Sequence, residues 1–185
     1  VFSSLIVLKG VESLSFGRAI ISILFLSLLF LTGCSVSIED ATQKSVDTFE
    51  QTFKAQPLET SEDTDIFAYH LPTGFTIDSE SENNIVLTQD EQTYLLFVNP
   101  FEPKDSEVLY DSTKVNLSDL LVDHTVNEDS RLGYLLVSPV DGEEEEFYEV
   151  TVGIGGVKMT TVTDTSNMEA STKSMMEITS SVKIK

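Results

Sequence analysis

The chain has 185 residues, with 11 Lys and Arg against 31 Asp and Glu, a formal net charge of −20, one cysteine and no tryptophan. That balance argues against a nucleic-acid partner, whose phosphates need a basic footprint, and against adsorption to an anionic lipid surface, which attracts polybasic segments. One cysteine allows no disulfide framework and no thiolate metal site, so the fold must stand on its hydrophobic core.

At the N-terminal end, Ala19–Leu31 contains only apolar residues and two serines. Lys9 and Arg18 precede it, opposed by Glu12 alone. A cationic start, an apolar core and a small residue at the end form a secretory signal. The uncharged run Ala19–Gly33 has 15 residues, short of the about 20 that a membrane-spanning helix needs. The first methionine is Met159. A non-AUG start codon or a start elsewhere is therefore expected, and residues 1–17 are long for an n-region.

Leu31-Thr-Gly-Cys34 closes the run and holds the only cysteine. This tetrapeptide resembles the lipobox of bacterial lipoproteins. The resemblance implies cleavage between Gly33 and Cys34, a diacylglycerol on the Cys34 thiol, and a cell-membrane anchor on the extracytoplasmic side. One acyl chain binds a bilayer marginally and two bind it stably. Removing residues 1–33 takes away two cations and one acid, so the remaining 152 residues carry −21. That length suits one domain.

Ser37 and Asp40 open a predicted helix over 38–54, with Ile38, Ala41, Val46, Phe49 and Phe53 on its apolar side. Residues 35–37 leave a very short tether before it, and Pro57 ends it. Residues 58–65 read as a polar linker, so 34–65 holds the lipidated cysteine, first helix and linker, and 66–185 the sheet and last helix. Strands are predicted at 66–71, 75–78, 85–88 and 93–98, each bounded by turn residues. The run Thr93–Val98 is nearly all apolar and is expected to be covered on both faces. Residues 101–131 read as an acidic, loop-like, partner-facing region, with a short strand at Val108–Tyr110 and an amphipathic turn at Leu117, Leu120 and Leu121. Further strands are expected at 131–140, 147–152 and 157–163. Ser166 and Glu169 have capping-box spacing before a helix over 167–182, whose Met168, Met175, Ile178 and Val182 share one stripe. The predicted fold class is α+β: an antiparallel sheet of six to seven strands flanked by N- and C-terminal helices.

Leu71-Pro-Thr-Gly-Phe75, Asn84-Ile-Val-Leu87, Tyr94–Pro100 and the ending Tyr148–Thr163 before a Met-rich helix are similar to small lipoproteins of Bacillus-type bacteria. The order of elements resembles the PsbP-like α/β/α sandwich. The resemblance spans residues 66–182 and implies an accessory domain. It carries over no functional residue beyond Cys34, because a fold alone does not supply a function.

His70 and His124 stand far apart and in no HExxH spacing, so they read as ordinary histidines rather than metal ligands. Asp141 with Glu143–Glu146 is an acidic turn; it lacks the alternating acids of a calcium loop and reads as a solvated hairpin tip. Gly153-Ile-Gly-Gly156 joins strand to strand, so it is expected to be a hairpin rather than a dinucleotide loop, and Lys158 has the wrong spacing for a phosphate-binding lysine. No GxSxG elbow occurs. No catalytic residue, metal or cofactor is expected. The reading is a binding or accessory lipoprotein with an unknown protein or cell-envelope partner. The alternatives are an extracytoplasmic hydrolase working through two carboxylates, and weak divalent-cation binding at the acidic turn.

Overall fold

The computed structural model describes residues 36–140, 142 and 146–185. Its elements in chain order are helix α1 (Ile38–Lys54), strands β1 (Glu62–Asp63), β2 (Phe67–Tyr69), β3 (Thr76–Glu80), β4 (Asn84–Gln89) and β5 (Gln92–Val98), helix α2 (Val108–Lys114), strands β6 (Val122–Glu128), β7 (Arg131–Pro139), β8 (Tyr148–Ile154) and β9 (Val157–Thr163), helix α3 (Met168–Ser181), and strand β10 (Lys183–Ile184).

Ser37 starts α1 as its spacing predicts. Its Oγ accepts the Asp40 amide N–H at 3.2 Å, and Glu39 and Asp40 stand in the first turn, where the helix dipole favours acids. Ala41, Ser45, Phe49 and Phe53 repeat every fourth residue and are buried. Ser45 takes the place expected of Val46, which its hydroxyl tolerates by donating to the Ala41 carbonyl at 2.8 Å. The stripe Met168, Met175, Ile178 and Val182 is buried in the same core as Phe49 and Phe53.

Seven antiparallel strands form the main sheet in the order β3-β4-β5-β9-β8-β7-β6. Two meanders, β3 to β5 and β6 to β9, meet where β5 pairs with β9, Leu96 opposite Met159. One face carries Ile85, Leu87, Leu96, Leu135, Val137, Val150, Val152 and Met159, all fully buried in the core that α1 and α3 share. The α+β class, the strand number and the two flanking helices are as predicted. The Asp129-Ser130 turn between β6 and β7 has φ of +54° and +57°, as in the two-residue turns whose twist matches that of the strands.

Several details differ from the sequence expectations. The predicted first strand, 66–71, is the shorter β2 and belongs to a separate three-stranded sheet with β1 and β10; β1 itself lies in the expected linker. Val108–Tyr110 is helical rather than extended. Leu109 and Thr113, four residues apart, are the buried positions of α2, and seven residues are too few to display that period in sequence. Within the expected loop 101–131, β6 forms a seven-residue edge strand. It is polar because Asp123, Thr125 and Asn127 face outward and are exposed. Ser166 does not cap α3. Asp164 Oδ1 instead accepts the amide N–H groups of Ser166 at 2.8 Å and Asn167 at 3.0 Å, and Glu169 turns toward α1 to accept from Thr48 Oγ1 at 3.4 Å.

The expectation that β5 is covered on both faces is also overturned: Leu95 is 41% exposed. The strands enclosed on both faces are β7, buried from Leu132 to Ser138, and β8, buried from Val150 to Ile154. The connection between β5 and β6 explains this. Those strands lie four places apart in the sheet, so residues 99–121 must cross the second face, and they cover β7 on the way.

Candidate functional site

The second face of the main sheet has a covered part and an open part. Leu109, Tyr134 and Leu136 form a small buried cluster with Phe97, Tyr110, Leu117 and Leu120 packed against it. Here the predicted leucine turn does pack, although Leu121 is 49% exposed. Beyond the cluster, strand pairing sets Val86, Leu95 and Thr160 in one row across β4, β5 and β9, a row that runs into the fully buried Thr151 of β8. Val162 stands in the next row, opposite Glu149. Val162 is 47% exposed, and with Leu95 it leaves apolar surface facing solvent at the centre of the sheet.

A polar clasp holds α2 to the sheet. Asp123 accepts from Tyr110 Oη at 2.8 Å and pairs with Lys114 Nζ at 2.5 Å, and Lys114 also donates to Tyr110 Oη at 3.1 Å. Lys158, which the sequence excluded as a phosphate binder, donates to Thr113 Oγ1 at 3.2 Å. Partial burial pushes the Asp123 carboxyl up, but the hydrogen bonds from Lys114 and Tyr110 and the Lys114 charge outweigh it, so the group ends below the ordinary range. A carboxyl with a depressed folded pKa adds stability above its unfolded value of about 3.9, and that contribution disappears as pH falls through the lower folded value. The clasp is therefore expected to loosen below about pH 4. Carbon-13 NMR of the Asp123 carboxyl should show a midpoint under that of a free aspartate, and Asp123→Asn should remove that part of the acid unfolding curve. A midpoint at or above the free value would show that the clasp does not hold in solution.

Where the β4–β5 hairpin meets the start of α3, beside the helix-covered face, lies a groove of about 940 Å³, within the range of ligand clefts. The β4–β5 turn, the end of β9, the start of α3 and Phe147 enclose it. Its floor is a hydrogen-bonded set: Gln92 Nε2 donates to Thr161 Oγ1 at 2.9 Å and to Ser171 Oγ at 3.1 Å, and Tyr94 Oη lies 3.3 Å from Ser171 Oγ. Asp90, Glu91 and Asp164 stand on its rim, and no lysine, arginine or histidine is among its described lining residues. The Ser166 hydroxyl holds the Asp164 carboxyl below its ordinary range; partial burial opposes this, and the Asn167 and Ser166 amides reinforce it. Among the described residues, the two carboxyls whose surroundings clearly move them, Asp123 and Asp164, both move down.

Gly33, Cys34 and the apolar run lie outside the described residues, as do Asp141 and residues 143–145 of the acidic turn. Glu146 accepts from Tyr148 Oη at 3.1 Å. The two histidines hold different parts of the molecule. His70 Nδ1 meets the Glu59 carbonyl at 3.0 Å, and His124 Nε2 meets Glu50 Oε1 at 3.0 Å with its ring against the edge of Phe49. Among the described residues no three His, Cys, Asp or Glu side chains gather as metal ligands, and no helix is long and apolar enough to cross a membrane. Gly153–Gly156 closes the β8–β9 hairpin as expected. Gly155 has φ +53°, and a Cβ there would stand 2.5 Å from the Lys104 carbonyl carbon, so the crossing segment rests on a turn that must be glycine. The sequence missed the clasp and the groove. Only the Tyr110–Lys114 spacing of four signals the clasp, and only once α2 is known to be a helix.

The fold thus defines an α+β protein with both terminal helices on one face of an antiparallel sheet and a partly open second face. No family model and no curated protein matches the chain.

Proposed function

We propose that the chain is an extracytoplasmic lipoprotein, anchored at the cell membrane through a diacylglycerol on Cys34, that works as a binding or accessory protein rather than an enzyme. The observation that carries the reading is Leu31-Thr-Gly-Cys34 placed directly behind a 15-residue uncharged run. The absence of any other cysteine supports it, since no second thiol competes for oxidation outside the cytoplasm. The open strip around Leu95 and Val162 favours a binding role, because apolar surface left uncovered on a sheet face is where partners dock.

Cys34→Ala tests the anchor. The variant is expected to lose labelling by a radiolabelled or clickable fatty acid, to keep residues 1–33, and to leave the detergent phase on temperature-induced phase separation. Globomycin, which blocks the lipoprotein signal peptidase, should also retain the longer form of the parent chain. Maturation and detergent partitioning that are the same with and without Cys34 would defeat the reading.

A further inference from the structure

We propose that the groove between the β4–β5 turn and the start of α3 is a binding site for a neutral, hydroxyl-rich ligand, a short glycan. The inference rests on the binding role proposed above and names its ligand class. The floor of the groove is uncharged and rich in acceptors. Gln92 Nε2 spends its N–H groups on Thr161 Oγ1 at 2.9 Å and Ser171 Oγ at 3.1 Å, which leaves the amide oxygen to accept. Tyr94 Oη lies 3.3 Å from Ser171 Oγ, and Tyr94, Thr161 and Ser171 are at most 3% exposed. The floor is therefore ordered before a ligand arrives, which lowers the cost of binding. Gln89 is the strand partner of Gln92 and also lines the groove, so two part-exposed amides stand side by side. Asn167 Nδ2 donates to Asp164 at 3.2 Å, so its amide oxygen is likewise left to accept.

The ligand class follows from what this lining can satisfy. No lysine, arginine or histidine is among the described lining residues, so a phosphate or carboxylate ligand would meet acceptors with acceptors. Asp164 is already spent on the Ser166 and Asn167 amides. The remaining acids, Asp90 and Glu91, are exposed on the rim, where an ion pair with a cationic ligand contributes little. An apolar ligand would leave the floor's polar groups dry and unpaired. A sugar brings hydroxyls that donate to the Gln92 and Asn167 oxygens and accept from the Gln89 amide, and its C–H faces suit the Phe147 and Ala170 side of the groove. A site that hydrogen-bonds hydroxyl groups also discriminates through them. A groove of about 940 Å³ takes a short oligosaccharide.

Saturation-transfer difference NMR of maltotriose and of tri-N-acetylchitotriose, titrated into the full chain in micelles of a sugar-free non-ionic detergent, tests the proposal. Saturable binding of at least one of them is expected. Gln92→Leu and Gln89→Ala should each weaken it by about tenfold. Gln56→Ala, at an exposed amide beyond the end of α1, should change it by less than about twofold. Gln89→Ala keeps the test readable should Gln92→Leu disturb the floor, and circular dichroism checks that each variant stays folded. Because the ligand is neutral, the affinity should hold within about twofold between about 0.05 and 0.5 M sodium chloride, and also in Asp90→Asn with Glu91→Gln. No saturable binding of either sugar, or an equal loss in Gln56→Ala, overturns the proposal. So does a tenfold loss at high salt, or spermidine binding as tightly as the sugars. None of these variants touches Cys34, so the groove and the lipid anchor fail or stand separately.

Discussion

Phe53→Ala is expected to lower the unfolding free energy by about 3–5 kcal/mol, a large share of the about 5–15 kcal/mol that holds a typical domain. The ring is fully buried, stacks on Phe49 with centroids 6.2 Å apart, and lies 4.4 Å under the Arg131 guanidinium carbon. Beneath it is Gly133 of β7, where a Cβ would stand 2.6 Å from Phe53 Cδ2. The sheet backbone is thus shaped to the ring and has no side chain with which to refill the hole. Arg131, which also donates to the Phe53 carbonyl at 3.3 Å, would lose its cation–π contact as well. Urea denaturation followed by far-ultraviolet circular dichroism measures the loss. Phe101→Ala, at a side chain 92% exposed, is the control and should stay within about 0.5 kcal/mol of the parent. A Phe53 variant that also stays within that margin would mean that α1 does not pack on β7.

Gly153→Ala is the second large effect, with an expected cost of about 1–3 kcal/mol, nearer the upper end. Gly153 of β8 pairs with Tyr134 of β7, and the tyrosine ring folds over it. A Cβ would stand 2.5 Å from Tyr134 Cε1 and closer still to the ring's Cζ and hydroxyl oxygen. Tyr134 cannot move aside, because it is fully buried and the Tyr110 ring of α2 lies 5.6 Å away. Tyr134→Val should therefore cost less in the Gly153→Ala background than in the parent, a coupling that a double-mutant cycle reads directly. Additive costs would refute the clash. The Tyr134 hydroxyl is buried without a hydrogen-bond partner among the described residues, and burial pushes its ionisation above the ordinary tyrosine range. Tyr134→Phe should accordingly be neutral or stabilising, by up to about 1 kcal/mol, in contrast to the glycine substitution on the opposite strand.

Most of the secondary structure was legible because its signals are local. In β8, Tyr148, Val150 and Val152 alternate with Glu149 and Thr151, and the glycines from Gly153 to Gly156 end the run. Ser37 marks the start of α1 and the Met168–Val182 stripe marks α3 for the same reason, since caps and helical period lie within a few residues of each other. What escaped were the elements whose residues are chosen by distant neighbours. The polar strand β6 looks like a loop because as an edge strand it has one face in water. The helix α2 has only Leu109 and Thr113 to show its inner side. Val108–Tyr110 has strand composition but lies over the sheet rather than in it.

The chain by itself determined the acidic character, the α+β class and the order of most elements, because charge, periodicity, caps and turns act over short stretches. The Leu31–Cys34 motif, on which the proposed anchor rests, is local in the same way. Only the tertiary structure decided which surfaces are free. Thr93–Val98 reads as a doubly buried strand, yet Leu95 is 41% exposed, because the segment 99–121 crosses to β6 over β7 and covers Phe97 but not Leu95. The groove likewise joins the β4–β5 turn to the start of α3, with Gln92 bonded to Ser171 across 79 positions of the chain. Burial on a sheet face depends on which distant segment comes to lie over it, and no local pattern encodes that.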